Sequence, residues 1–190
     1  MLSTIDAIIL SFQPVSDKAH LVHAYTRTGG RFSYRVYGIG KKNSAGTYHP
    51  LSVVQLVTDG HSVREARLNY VPATLTTDLY KQTVALFISE VLYHVLRHPM
   101  PDEPMYDFLE EAVRALDSTD EPQQFHIRFL VSFAARLGFA LPDEELFLSR
   151  PPITRKERQQ SLRALCDYFA EHVETWETPR SLDILMEVFN

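Results

Sequence analysis

Arg31-Phe32-Ser33-Tyr34-Arg35-Val36-Tyr37-Gly38 alternates its side chains with period two, the spacing of a strand that buries one face and leaves the other free. Phe32, Tyr34 and Val36 fall on the core face, while Ser33, Arg35 and Tyr37, with Arg31 before them, fall on the face open to solvent or a ligand. Similar stretches lie on both sides. Ala7–Phe12, Ala19–Arg27, Leu51–Thr58 and Val63–Tyr70 read as four more short strands, separated by Gln13-Pro14, Gly29-Gly30, a loop from Gly40 to Pro50, and Asp59-Gly60. Five strands in about 70 residues fit a small barrel of the OB-fold type, whose closure limits exposed sheet edges.

Past Pro72 the period becomes helical. Thr76 or Thr77 is positioned to cap a helix reaching about His98, with Leu79, Leu86, Val91 and Val95 as its apolar stripe and Pro99 and Pro101 as its stop. A second helix is expected from Pro104 to Leu116. A third runs from Pro122, capped by Asp120, through Phe125, Phe129, Phe133 and Leu137 to Gly138. Thr154-Arg155-Lys156-Glu157 has capping-box spacing and opens a helix to about Val173; Thr178-Pro179 begins the last, with Leu182, Leu185, Met186 and Phe189 buried. The expected class is α+β, an N-terminal five-stranded OB-fold β-barrel over residues 1–73 followed by an α-helical bundle over 74–190.

A chain of 190 residues that is 45% hydrophobic can bury a core without disulfides or metals. Its single cysteine, Cys166, excludes an internal disulfide and a multi-cysteine zinc site, which suits a reducing compartment. No stretch approaches the roughly 20 apolar residues of a membrane helix, and the N-terminus lacks a basic leader, so a cytoplasmic location is expected with no membrane partner.

The net charge of −5 conceals a division. Residues 1–75 hold eight Lys/Arg against four acids, a balance of +4, and the remainder carries −9. Phosphates need cations and bases need flat side chains, both on one exposed face. Arg27, Arg31, Arg35, Lys41, Lys42, Arg64 and Arg67 are the candidate DNA-binding cations, with Tyr37 as a stacking ring. Arg64 and Arg67 differ in strand parity, which puts them on opposite faces. Four or five single-strand phosphate contacts would give a log–log salt slope of about −3.

Catalytic readings have less support. His20 and His23 lie an odd number of residues apart on one strand and face opposite sides. Glu90, His94 and His98 share a helix face at metal-ligand spacing, but no second ligand cluster accompanies them, and Glu90 can serve instead as a carboxylate bonding across the bundle. The nucleophile elbow, the P-loop and the dinucleotide fingerprint are missing from the sequence. Cys166 lies among Leu162, Leu165 and Phe169 as a small buried hydrophobe. No catalytic residue, metal or cofactor is expected. Two rival readings stay open: an interaction adaptor whose acidic bundle is the working surface and whose barrel binds no DNA, and a metal-dependent enzyme using Glu90, His94 and His98.

Ala7-Ile8-Ile9-Leu10, Ser16-Asp17-Lys18, Leu21-Val22, Tyr25-Thr26, Gly30-Arg31, Val36-Tyr37-Gly38, Lys41-Lys42 and His49-Pro50-Leu51 together resemble the OB-fold domain of the RecO family of bacterial recombination mediators. Ala85–Leu92 around Glu90, Phe125–Phe139 and Ser181–Phe189 are similar to that family's helical segments, the last in its Bacteroidetes-like form. The chain departs from the family in two respects. Many members carry a four-cysteine zinc module where this chain has only a short link from Leu146 to Thr154, and most members are longer. The resemblance implies a protein of DNA repair and homologous recombination that binds single- and double-stranded DNA and anneals complementary strands. It also implies work in the RecFOR pathway with RecR, and in some systems RecF, to load the recombinase RecA at the bacterial nucleoid. A further implied contact is the acidic C-terminal tail of single-strand-binding protein, for which Arg128 and Arg136 are the candidate partner-binding residues.

Overall fold

The computed structural model describes residues 1–39, 45–141, 144 and 154–189. Five strands, β1 (Ser3–Ser16), β2 (Ala19–Thr26), β3 (Gly30–Tyr37), β4 (Val53–Thr58) and β5 (Ser62–Leu68), close into a barrel in the order β1-β2-β3-β5-β4. Every pairing is antiparallel except β3 with β5. This is the expected OB-type barrel. Its interior is filled by Ala7, Ile9, Val22, Ala24, Tyr34, Val36, Val54, Leu56 and Val63, at alternating positions within each strand.

Two details of the period-two reading change. Phe32 has the predicted parity, yet lies near the start of β3 and is 39% exposed, resting on Tyr34 at 6.0 Å between ring centroids. In β5 the partners step from Val57↔Glu65 to Thr58↔Val63, so Arg64 is the extra residue of a bulge. The bulge turns both Val63 and Ala66 inward and leaves both Arg64 and Arg67 exposed, against the parity prediction.

The chain forms two compact units, Met1–Ala73 with Leu96–Ala115, and Thr74–Val95 with Leu116–Asn190. The sequence reading gave all of 74–190 to the helical bundle, whereas Leu96–Ala115 joins the barrel. That stretch contains most of α2 (Glu103–Ser118), which Asp102 starts by accepting the Met105 N–H at 2.9 Å. Its seat on the barrel is a set of specific contacts. The Arg27 guanidinium lies over the Tyr106 ring at 4.4 Å and pairs with Asp107 at 2.6 Å, and Arg114 lies over Tyr70 at 4.5 Å. The Arg31 N–H donates to the His98 carbonyl at 3.2 Å. Gly30, at φ +68°, makes this approach possible, because a Cβ there would stand 2.2 Å from the Met100 carbonyl oxygen.

The second unit contains α1 (Leu79–Val95), α3 (Pro122–Arg136), α4 (Arg155–His172) and α5 (Leu182–Val188), with α3 against α1 and α4, and α5 against α1. The cap of α1 is Asp78, whose Oδ1 accepts the N–H groups of Tyr80 and Lys81, in place of Thr76 or Thr77. The helix stops at Val95, so His98 is not on it. Its buried face is Val84, Phe87, Ile88, Val91 and Leu92, the tighter i, i+3, i+4, i+7 repeat, and the predicted stripe residues Leu79 and Leu86 are exposed. Helix α3 begins at Pro122 with no side-chain cap, so Asp120 does not play that role. The capping box of α4 forms as read, with the Glu157 N–H donating to Thr154 Oγ1 at 3.2 Å and the Thr154 N–H to the Glu157 carboxylate at 2.8 Å. Ser181 precedes α5, and it lies three residues beyond the expected Thr178 start.

Polar side chains are built into this unit. Asp117, 4% exposed, accepts the N–H groups of Thr74 and Leu75 on Oδ1 at 2.8 and 2.7 Å. The buried Lys81 ammonium donates to the Asp117 carbonyl and to the Thr74 hydroxyl at 2.6 and 2.7 Å. These bonds satisfy groups that burial would otherwise penalise.

Candidate nucleic-acid interface

In the β2–β3 ladder, Tyr25 opposes Arg31, His23 opposes Ser33, Leu21 opposes Arg35, and Ala19 opposes Tyr37. Directly opposed residues share a face, so all eight belong to the outer side of this strand pair. The end carrying Arg35 and Tyr37 lies between two connections. Tyr37 pairs beside the β1–β2 turn at Asp17-Lys18, and the Arg35 N–H donates to the His61 carbonyl in the β4–β5 turn at 2.9 Å. In OB barrels the β2–β3 face and these two connections are the usual ligand surface.

The eight candidate DNA-binding residues are differently placed. Arg35 is exposed and meets no carboxylate among the described residues, Tyr37 is 45% exposed, and Arg31 is half-buried on the same face. Lys41 and Lys42 lie outside the described residues. Arg27 is engaged by Asp107 at 2.6 Å and Glu110 at 3.6 Å. Arg64 pairs with Asp59 at 2.6 Å and Arg67 with Glu65 at 2.8 Å, each partner only a few residues away. The Asp59 carboxylate is held far below the usual range by the N–H groups of Ser62 and His61 and by the Arg64 guanidinium, so that pair is charged at any physiological pH. The structure thus gathers Arg31, Arg35 and Tyr37 on one face and gives Arg27, Arg64 and Arg67 partners within the chain.

Sequence reasoning placed Ser33 on that face and missed His23, which meets it there. His23 Nδ1 and Ser33 Oγ are 2.6 Å apart. Burial, and then the neighbouring Arg31 charge, lower the His23 pKa below its ordinary value, so the ring is neutral near pH 7. Only the β2–β3 register brings these two residues together.

In the helical unit Arg128 and Arg136 are both exposed on α3. A concavity of about 580 Å³ is lined by Asp78, Tyr80, Lys81, Asp120, Arg158 and Phe189 among others, and neither Arg128 nor Arg136 reaches it. Tyr80 stacks on Phe189 at 5.3 Å. Glu90 bonds across the bundle as the structural reading had it, accepting the Ser181 N–H and hydroxyl on Oε2 at 2.9 and 2.6 Å. His94 faces Glu177 at 3.5 Å. Among the described residues no group of three or more His, Cys, Asp or Glu could hold a metal ion. Cys166 is buried, and burial pushes its thiol pKa up to about 12, which suits a packing residue and not a nucleophile. No described helix is long and apolar enough to cross a membrane.

The fold defines the class: an OB-barrel protein that carries a helical unit on the same chain. Residues 76–147 match the family model described as Recombination protein O C terminal. The chain is also similar, almost end to end, to proteins named DNA repair protein RecO. That of Flavobacterium johnsoniae is 27% identical over 97% of this chain and 98% of its own length. That of Phocaeicola vulgatus is 27% identical over the whole of both, and that of Porphyromonas gingivalis is 25% identical over 97% of this chain. Both comparisons point to the same family, the RecO proteins of DNA repair and recombination, and they support a repair role for this chain. Its alignments with these three run to 232, 241 and 240 positions, so the relatives carry internal residues that this 190-residue chain lacks.

Proposed function

We propose that this chain is a non-catalytic DNA-binding mediator of repair and recombination, acting in the bacterial cytoplasm. The barrel binds single- and double-stranded DNA through Arg31 and Arg35, with Lys41 and Lys42 adding charge and Tyr37 a stacking surface. One observation carries this reading: Arg31, Arg35 and Tyr37 share the outer β2–β3 face, with Arg35 and Tyr37 at the end flanked by the 17–18 and 59–61 turns. Cations on such a face lower the repulsion between two phosphate backbones, so annealing of complementary strands needs no catalytic group and little base preference. Arg27, Arg64 and Arg67, already paired with carboxylates, contribute less.

RecR, RecF and the recombinase RecA are the partners such a mediator would serve. The acidic tail of single-strand-binding protein would dock on the helical unit, either at the exposed Arg128 and Arg136 or in the concavity beside Arg158, Tyr80 and Phe189.

The test is fluorescence anisotropy of labelled single-stranded DNA titrated with the protein at several salt concentrations. A variant with Arg31, Arg35, Lys41 and Lys42 changed to Glu is measured beside it. The expected result is a log–log slope of about −3 for the parent chain that collapses in the variant. No binding at low salt would overturn the proposal and favour an adaptor whose acidic helical unit is the working surface.

A further inference from the structure

Three aromatic rings form a continuous stack at one end of the barrel. Phe12 is the middle ring, 4.7 Å from His20 at an interplanar angle of 6° and 4.6 Å from Tyr48 at 9°. The order runs from inside to outside. Tyr48 is 2% exposed and belongs to the barrel core, Phe12 packs partly buried against that core, and His20 is partly exposed. The stack therefore opens to solvent at His20. Within that ring Nδ1 is shut from solvent and has no hydrogen-bond partner among the described residues.

The position of His20 is as informative as its ring. It lies two residues after the Asp17-Lys18 turn and opposes Val36, the residue between Arg35 and Tyr37. Its side chain points to the barrel's mouth, while Arg35 and Tyr37 point to the outer face, so a strand lying on that face would pass beside the end of the stack. Three aligned, mutually supported rings cost little further ordering when a fourth flat ring is added, and base–aromatic stacking is indifferent to base identity.

We infer that His20 ends a preorganised base-stacking platform, Tyr48–Phe12–His20, which takes one unstacked nucleobase of a single DNA strand and so biases the barrel toward single-stranded over duplex DNA. This rests on the DNA-binding reading above and extends it. Bases in a duplex are stacked on their neighbours and give no free face to His20, so the platform serves single strands alone.

The test uses a short thymidine oligonucleotide with one central 2-aminopurine, and a duplex of equal length, titrated with the full chain and with His20→Ala and His20→Trp. The parent chain should quench 2-aminopurine on binding. His20→Ala should lose the quenching and about tenfold in single-strand affinity with duplex affinity unchanged. His20→Trp should keep both. In a Trp176→Phe background, which removes the sole native tryptophan, the introduced indole should itself be quenched by the oligonucleotide. A folded His20→Ala chain, judged by circular dichroism, that binds single strands as the parent does would overturn the platform. Should His20→Ala fail to fold, an unquenched indole in His20→Trp at saturating oligonucleotide would overturn it equally. Failure of the underlying DNA-binding reading gives a different result, with no binding of the parent chain to either oligonucleotide at low salt.

Discussion

The two units place their polar side chains in opposite ways. In the barrel unit charged groups stay at the surface, where they either pair with a near neighbour, as Arg64 does with Asp59, or stand open, as Arg35 does. In the helical unit several turn inward, and Lys81, Asp117, His126 and the Glu90–Ser181 bond lie in the interior or at its edge. Buried polar groups with their bonds satisfied specify one arrangement and are costly to disturb. Exposed cations add little to stability and can be engaged by a ligand. The same residue types thus serve architecture in one unit and are open to binding in the other, and counting charges along the sequence does not tell these uses apart.

That contrast is most easily broken at Asp117. Asp117→Ala would leave the buried N–H groups of Thr74 and Leu75 without acceptors, at about 3 kcal/mol in stability. Thermal unfolding should show a fall of roughly 10 °C, with Asp117→Asn costing clearly less because it keeps an acceptor oxygen. An unchanged melting temperature in Asp117→Ala would mean that these inward groups are not structural.

His126 tests the contrast through pH. The folded unit keeps its imidazole neutral, with the pKa pushed down to about 3 by burial first and by the Arg158 charge second. The unfolded chain takes up that proton near pH 6.5, so below this value the unfolded state binds more protons and stability falls as pH drops toward 3. The loss should reach about 2 kcal/mol by pH 5. Denaturant titrations between pH 7 and pH 5 should show it, and His126→Phe, which keeps a ring for the stack on Phe189, should flatten it.

On the barrel the expected effects fall on binding. Arg35→Ala should weaken single-strand binding about fivefold at about 0.1 M salt and make the salt slope shallower by about 0.7. Arg27→Ala should leave that slope alone, because its guanidinium already serves Asp107 and Tyr106, and should lower stability by no more than about 1 kcal/mol. Equal slopes lost at Arg27 and Arg35 would erase the distinction between a paired and an open cation. The smallest effect is at Cys166, whose thiol should react with a disulfide reagent at pH 8 only after denaturation, since burial holds it protonated.

Period-two spacing in Arg31–Tyr37 and its neighbours was enough to read five strands and a barrel, because strand geometry sends alternate side chains to opposite faces whatever surrounds them. Thr154-Arg155-Lys156-Glu157 was equally legible, since a capping box is closed by residues three apart. The tightness of the Glu90–Ser181 bond, the bulge at Arg64 and the true buried face of α1 depend on partners far along the chain or on competition between two apolar stripes. The candidate site was half legible on the same grounds. The parity of Arg31, Arg35 and Tyr37 is local and was readable, as was the opposite facing of His20 and His23. The pairing of Arg27 with Asp107, the meeting of His23 and Ser33, and the stacking of His20 on Phe12 and Tyr48 were decided by tertiary structure alone. Local spacing sets the direction in which a side chain leaves the backbone; what it meets there depends on segments brought together by closing the barrel and seating Leu96–Ala115 upon it.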